Sequence, residues 1–302
     1  MMTAKSKRLI VVAGPTAAGK TDFAIKLSQH LKTEIISADS RQFFKEMNIG
    51  TAKPSGEELS KIKHHFISSH SINDYYNVAQ FELDVINLLE KLFVKHDQVV
   101  MVGGSGLYID AVCNGIDELP DVDEDLRAEL NKLYDEDGIK AIQEKLLELD
   151  PEFYEVVDLS NPKRIIRALE VCIVTGKKYS DQRSSKTKRR SFKIVKIGLN
   201  IKRELLYERI NQRVDTMVAA GLIEEARELL GMSHLNALKT VGYKELFDHF
   251  NGNISLEKAI ENIKTNSRRY AKRQLTWFRK DKNYHWFGPS DLEQVINLVN
   301  EI

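Results

Sequence analysis

The residues best suited to chemistry lie near the start of the chain, in Gly14-Pro15-Thr16-Ala17-Ala18-Gly19-Lys20-Thr21. The spacing is G-x-x-x-x-G-K-[ST], in which backbone N–H groups and a helix N-terminus create positive potential around a phosphate. Lys20 would bring a mobile charge to the outermost phosphate, and the Thr21 hydroxyl a ligand for Mg²⁺. A second candidate is Asp39, which closes Glu34-Ile35-Ile36-Ser37-Ala38-Asp39 and precedes Ser40-Arg41-Gln42. A carboxylate at the carboxyl end of a parallel strand faces the ligand crevice. An aspartate capping a turn produces the same local pattern.

These groups need a framework, and the apolar pattern supplies one. Leu9-Ile10-Val11-Val12-Ala13 reads as the strand entering the loop, and Ala24, Leu27 and Leu31 share a face of the helix leaving it. Val78, Phe81, Val85, Leu88, Leu89 and Leu92 recur at helical spacing. Gln98-Val99-Val100-Met101-Val102 is then a third strand, ending in Gly103-Gly104-Ser105-Gly106-Leu107-Tyr108. P-loop ATPases usually hold magnesium with an aspartate of their own. Two glycines and a hydroxyl at this strand end suggest instead a flat or bulky group passing close to backbone. Gly50-Thr51-Ala52-Lys53-Pro54 reads as a surface loop, and the adjacent His64-His65 as a structural pair that cannot share one helix face. Ile194 to Leu199 returns to strand character, followed by a helix ending near Gly221 that carries Arg203, Arg209 and Arg213. Arginines there are placed to clamp phosphate, with a solvated helix face as the other reading. The expected fold class is α/β: a P-loop core with a parallel β-sheet flanked by helices, over 1–115 and 192–302. A mainly helical insertion domain is expected over 116–191.

The 302 residues are 42% apolar and 29% charged, the composition of a globular protein with ample length for a packed core. The formal net charge is +1, so contact with nucleic acid has to come from local patches. Candidates are the segment Arg183, Lys186, Lys188, Arg189, Arg190 and Lys193, which reads equally as a solvated face, and the run from Arg268 to Lys280. In that run Tyr270, Trp277 and Phe278 either stack on bases or anchor the core. The acidic stretch from Asp117 to Glu129 reads as a solvated face. Cys113 and Cys172 form neither a disulfide framework nor a zinc spacing. No apolar run approaches a membrane span, and a cytoplasmic monomer is expected.

Taken in order, the motifs resemble the tRNA dimethylallyltransferase (tRNA isopentenyltransferase) family in its bacterial form. The matching pieces are Gly14 to Thr21, Asp39 to Gln42, Ile49 to Pro54, Val102 to Tyr108, Arg164 to Glu170, and Arg213-Val214-Asp215 with Met217. Val241 to Glu245 and Ala271-Lys272-Arg273-Gln274 with Trp277 complete the set. The resemblance implies transfer of a dimethylallyl group from dimethylallyl diphosphate to N6 of the adenosine 3′ of the anticodon (position 37), in tRNAs reading codons that begin with U. It implies Mg²⁺, diphosphate binding by Gly14, Thr16, Ala17, Ala18, Gly19, Lys20 and Thr21, and catalysis by Asp39, Ser105 and Arg213. Asp39 is the expected base for the N6 proton. The anticodon stem-loop is expected on Asp39, Ser40, Arg41, Gln42, Ser105, Arg127, Lys163, Arg164, Arg167, Lys239, Gly242, Tyr243, Lys244, Lys272, Arg273, Gln274, Trp277 and Arg279. Ser105 stands where the family usually has threonine, and Phe43-Phe44 where a tyrosine often follows; the phenylalanines are expected to keep a stacking surface. Competing readings are an adenylate (free-nucleotide) dimethylallyltransferase, a small-molecule kinase, and a non-catalytic nucleotide-gated RNA-binding protein.

Overall fold

The computed structural model describes residues 7–117, 119–121, 123–183 and 187–301. Glu118 of the acidic stretch and Lys186 of the basic segment lie outside these residues. Two compact units are present, Met1–Asn114 with Arg189–Ile302, and Gly115–Lys188.

The first unit begins with β1 (Arg8–Ala13), α1 (Lys20–Leu31), β2 (Ile35–Ala38), α2 (Gly56–Lys61), β3 (His64–His65), α3 (Val78–Lys95), β4 (Gln98–Gly103) and α4 (Gly106–Asn114). The second unit contains α5 (Glu124–Leu149), α6 (Pro151–Tyr154), α7 (Pro162–Thr175) and α8 (Tyr179–Gln182). The chain returns to the first unit with β5 (Lys193–Leu199), α9 (Arg203–Ala219), α10 (Leu222–Glu228), α11 (Tyr243–Phe250), α12 (Leu256–Lys280), β6 (Tyr284–Phe287) and α13 (Leu292–Glu301).

The strands form one parallel sheet in the order β3-β2-β4-β1-β5-β6. Leu9 to Ala13 are fully buried, as an inner parallel strand covered on both faces requires. On one face Ile10, Val12 and Val100 pack with Phe23 and Leu27 of α1 and Val295 and Val299 of α13. On the other, Leu9, Val11 and Met101 pack with Phe81 and Val85 of α3 and Phe278 of α12. Register sets the site: Ala13 pairs with Gly103, and Gly103 with Ala38. The carboxyl ends of β1, β4 and β2 therefore coincide, and the loops leaving them converge on one edge.

His64-His65, expected to be a structural pair, is a short edge strand, His64 pairing with Ile35. Two expectations change. Phe43 and Phe44 offer no stacking surface, being 1% and 4% exposed. They pack edge-on to each other and, with Met47, into a cluster with Tyr243 and Leu246 of α11 and Ile263 of α12. The Gly50–Pro54 segment is not a free surface loop. Lys53 Nζ donates to Asn48 Oδ1 and Ser68 Oγ at 2.9 Å each, and burial pushes its pKa down to about 8.

The second unit is helical, cored by Leu130, Ile142, Leu146, Ile165 and Leu169. Asn161 accepts from the Arg164 amide to cap α7, Pro162 opens it, and Gly176 closes it. Among the described residues no helix is long and apolar enough to cross a membrane.

Candidate active site

Gly14 has φ +156°, and a Cβ there would stand 2.6 Å from the Leu199 carbonyl oxygen, so the loop leaves β1 against β5 only with glycine. Lys20 Nζ donates to the Pro15 carbonyl at 2.7 Å. Burial, and then the neighbouring Arg213, push its pKa down to about 7 against the pull of Asp39. The Arg213 guanidinium reaches from α9 to Thr16 Oγ1 at 3.4 Å and the Ala52 carbonyl at 3.3 Å. The sheet thus brings together the lysine of one loop, the arginine of a distant helix and the carboxylate of a third segment.

Asp39 follows β2 directly, and its Oδ1 accepts the Arg41 amide at 3.0 Å. Ser105 is 9% exposed, and its Oγ accepts the Ser40 amide at 2.9 Å and lies 3.1 Å from Ser40 Oγ. The Ser105 hydroxyl thus clamps the Asp39-Ser40 backbone. Tyr270 of α12, read from sequence only as a base-stacking or core aromatic, also reaches Ser105; burial, with help from Asp39, pushes its phenol up to about 12. It is a neutral O–H group at neutral pH.

A cavity of about 280 Å³ joins Lys20, Arg213, Asp39 and Tyr270, while Ser105 stands behind the lining residue Ser40. Its polar lining includes Thr16, Lys20, Thr21, Asp39, Ser40, Arg41, Gln42, Arg213 and Tyr270. Its apolar lining comes from Ile210, Val214 and Met217 of α9, Val241, and Ile263 of α12. A phosphate loop and a hydrocarbon wall thus share one chamber.

Gly103-Gly104 makes room for groups of the protein itself and lies on the cavity lining. A Cβ on Gly103 would lie 2.1 Å from the Ala38 carbonyl oxygen, and one on Gly104 2.2 Å from Gln274 Nε2. Gln274, 6% exposed, accepts the Thr16 amide at 2.8 Å and donates to the Gly104 carbonyl at 2.9 Å. It ties the phosphate loop to the end of β4. Replacing Gln274 by leucine keeps the bulk but leaves a buried N–H and C=O unpaired. We expect pyrophosphate affinity to fall about tenfold with RNA affinity unchanged, since unpaired buried groups cost about 1–3 kcal/mol each. Parallel calorimetry and RNA filter binding check this; selective loss of RNA binding would make Gln274 an RNA contact.

Other expected RNA contacts divide by burial. Tyr243 is fully buried, and its hydroxyl donates to Glu225 Oε1 at 2.7 Å. Glu225 also accepts the amides of Asn48, Ile49 and Gly50 at 2.8–2.9 Å, so this pair is the shelf under the 48–52 turn. Gln42 lines the cavity, but its Nε2 donates to the Thr51 and Ala52 carbonyls at 3.1 and 3.2 Å. Gly242 lines the cavity as well. Lys239, Lys244, Lys272, Arg273 and Arg279 are exposed, and Trp277 is 37% exposed with Nε1 donating to Asp110 at 2.8 Å. In the second unit Lys163 and Arg164 are exposed, whereas Arg127 and Arg167 both pair with the buried Glu170.

Fold and cavity define a P-loop α/β enzyme. A family model described as IPP transferase matches residues 42–281. The chain belongs to this family, the tRNA dimethylallyltransferases. It is 57% identical over 282 residues to a tRNA dimethylallyltransferase of Christiangramia forsetii, covering 93% of each chain. It is 47% identical to tRNA dimethylallyltransferase 1 of Phocaeicola vulgatus, covering 97% of this chain and 98% of that one. Among solved structures, the tRNA isopentenylpyrophosphate transferase of Bacillus halodurans superposes with a TM-score of 0.72 at 37% identity, covering 98% of this chain and 96% of that one. A eukaryotic dimethylallyltransferase acting on tRNA superposes with a TM-score of 0.77 at 26% identity, covering 96% and 75%.

Proposed function

We propose that this chain transfers the dimethylallyl group of dimethylallyl diphosphate to N6 of adenosine 37 in tRNAs that read codons beginning with U. The observation that carries this reading is the shared chamber: phosphate loop, strand-end carboxylate and apolar wall line one cavity. The diphosphate sits on the loop amides, Lys20 and Arg213, and the dimethylallyl chain lies on Ile210, Val214, Met217 and Ile263. As the C–O bond to diphosphate breaks, negative charge grows on the leaving group, where Lys20 and Arg213 are already placed. The N6–C bond forms, and the N6 proton passes to Asp39.

The residues present suit Mg²⁺. The Thr21 and Ser37 hydroxyls and the Asp39 carboxylate are hard oxygen donors on the same lining. Among the described residues no group of three or more His, Cys, Asp or Glu side chains gathers to hold a metal. That suits an ion bound through the diphosphate while keeping several waters. When bound it would neutralise diphosphate charge.

An adenine stacked in an anticodon loop has to be extruded to reach such a chamber, with the cost met by contacts elsewhere on the RNA. The exposed Lys239, Lys244, Lys272, Arg273 and Arg279, and Lys163 and Arg164 of the second unit, are the cations we assign to the tRNA backbone. We propose a cytoplasmic monomer in which the second unit is a tRNA-contacting insertion.

The test is an acceptor competition: protein, Mg²⁺ and labelled dimethylallyl diphosphate are offered unmodified tRNA and AMP together. Label on one anticodon-loop adenosine is expected; label on AMP would instead make the protein a free-nucleotide transferase. A pH dependence follows as well. The free protein holds Lys20 near pKa 7, while a bound diphosphate favours the charged ammonium. Pyrophosphate binding should therefore take up a proton above pH 7, weakening by up to about tenfold per pH unit. Titration in buffers of different ionisation enthalpy reads this uptake, and a flat profile from pH 7 to 9 would contradict it.

A further inference from the structure

Arg41 is a cation of the chamber lining that the transfer chemistry above does not use. Its root is fixed: the Arg41 amide donates to Asp39 Oδ1 at 3.0 Å, and the Ser105 hydroxyl holds the Ser40 amide at 2.9 Å. Its half-buried guanidinium is loosely held. Among the described residues it makes a single hydrogen bond, from Nη1 to the Ser40 carbonyl at 3.5 Å, longer than a normal N–H···O bond. The sealed-in side-chain atoms without partners belong to Arg8, Ser28, His64, Gln98 and Tyr284. None belongs to Arg41, so its unpaired Nε and Nη2 donors are open to solvent on the chamber side of the loop.

The neighbours of Arg41 set it apart from the phosphate loop. Lys20 and Arg213 are bonded to the loop residues Pro15 and Thr16, and each feels the charge of Asp39. Arg41 feels Asp39 as well, but its other neighbours are Tyr108 and Tyr270. Burial raises both phenols, so they bring no counter-charge. Asp39 is thus shared by two positive groups, of which one belongs to the phosphate loop and the other is rooted beyond the carboxylate. A half-buried charge is costly unless an opposite one joins it. An extruded adenosine with N6 at Asp39 brings such charges in its two flanking phosphodiesters. Its N6 attacks the carbon from the side opposite the leaving diphosphate, and like-charge repulsion keeps its own phosphates away from that diphosphate. An arginine side chain rooted at Asp39 can span a distance comparable to that from an adenine amino group to its nucleotide's phosphate.

We propose that Arg41 is the subsite for a phosphodiester flanking the target adenosine, its guanidinium donating to the phosphate oxygens while Asp39 takes the N6 edge. This deepens the transfer reading above and rests on it. The planar fork of a guanidinium matches two phosphate oxygens, and the bonds are charge-assisted. Contacts to phosphate fix register and orientation without reading sequence. Here the contact holds an extruded nucleotide by its backbone so that its base edge rests at Asp39. Donor diphosphate and acceptor phosphate then have separate cations, Lys20 and Arg213 for the first and Arg41 for the second.

The test crosses Arg41→Met with a neutral methylphosphonate built into an anticodon stem-loop RNA. The neutral linkage is placed 5′ of the target adenosine, 3′ of it, or in the distant stem, and kcat/KM is read with dimethylallyl diphosphate and Mg²⁺. We expect Arg41→Met, and the methylphosphonate at one flanking linkage, each to lower kcat/KM about twentyfold, and the two together to lower it no further than either alone, since both remove one charge-assisted contact. The stem methylphosphonate should multiply with Arg41→Met. Inorganic pyrophosphate should bind Arg41→Met within about threefold of the parent, which shows that the variant is folded and that its lost charge is not on the diphosphate side. Losses that multiply at both flanking linkages, parent-like kcat/KM in Arg41→Met, or a matching fall in its pyrophosphate affinity overturns the assignment. If the parent labels AMP and not the stem-loop, or labels neither, the transfer reading itself falls, and this inference with it.

Discussion

Replacing Lys20 by methionine is expected to lower kcat/KM by about a thousandfold, the scale on which removing a preorganised charge from a water-poor site acts. Lys20 is held against the Pro15 carbonyl at 2.7 Å, so its ammonium is placed before any phosphate arrives. Arg213 and the loop amides would remain and retain part of the binding. The same change should stabilise the ligand-free protein. Burial and Arg213 hold the folded-state pKa near 7, below that of an unfolded lysine, so the unfolded chain binds more protons between those values. The penalty on folding is fully present below pH 7 and fades as pH rises toward the unfolded value. Thermal melts of Lys20→Met should therefore exceed the parent most at pH 6–7 and converge with it near pH 10. Lower activity with a lower melting temperature at pH 6.5 would mean that Lys20 is a structural residue.

Asp39→Asn is expected to lower kcat by about a thousandfold while leaving tRNA affinity within about threefold, general-base removal being worth about 10²–10⁴. The amide is close to isosteric, and its oxygen can still accept the Arg41 amide, now at 3.0 Å from Oδ1. Ser105 continues to hold the Ser40 amide. The turn should survive and only the base be lost, because a carboxamide oxygen does not take up the N6 proton. Single-turnover rates under saturating substrates and filter binding separate the two effects. Parent-like turnover would remove Asp39 as the base, and a matching loss of tRNA affinity would make it an RNA contact.

The phosphate loop and strand ends were legible because they are local. Eight consecutive residues state the G-x-x-x-x-G-K-T spacing, and an apolar run followed by helical periodicity states the strand and helix around them. The exit of Asp39 from β2 was legible for the same reason. The arginine clamp was only half visible: Arg213 read equally as a solvated helix face until packing set it 3.4 Å from Thr16, 197 residues away.

Long-range pairing was not legible. Nothing local says that Gln274 meets Thr16 across 258 residues, or that Glu225 gathers three amides of the 48–50 turn and the Tyr243 hydroxyl. A basic pattern does not say which cation a buried carboxylate will take: Arg127 and Arg167 pair with Glu170, while Lys163 and Arg164 on α7 stay exposed. The glycines at the end of β4 signalled a close approach, but its source was Gln274 and the backbone of β2.

Sequence alone thus determined the phosphate loop, the strand-end carboxylate and the family pattern, because short-range spacing and periodicity act over a few residues. Only the tertiary structure decided which polar groups face the chamber and which are held within the fold. A side chain's partner depends on packing between distant segments, and buried donors and acceptors must find theirs there.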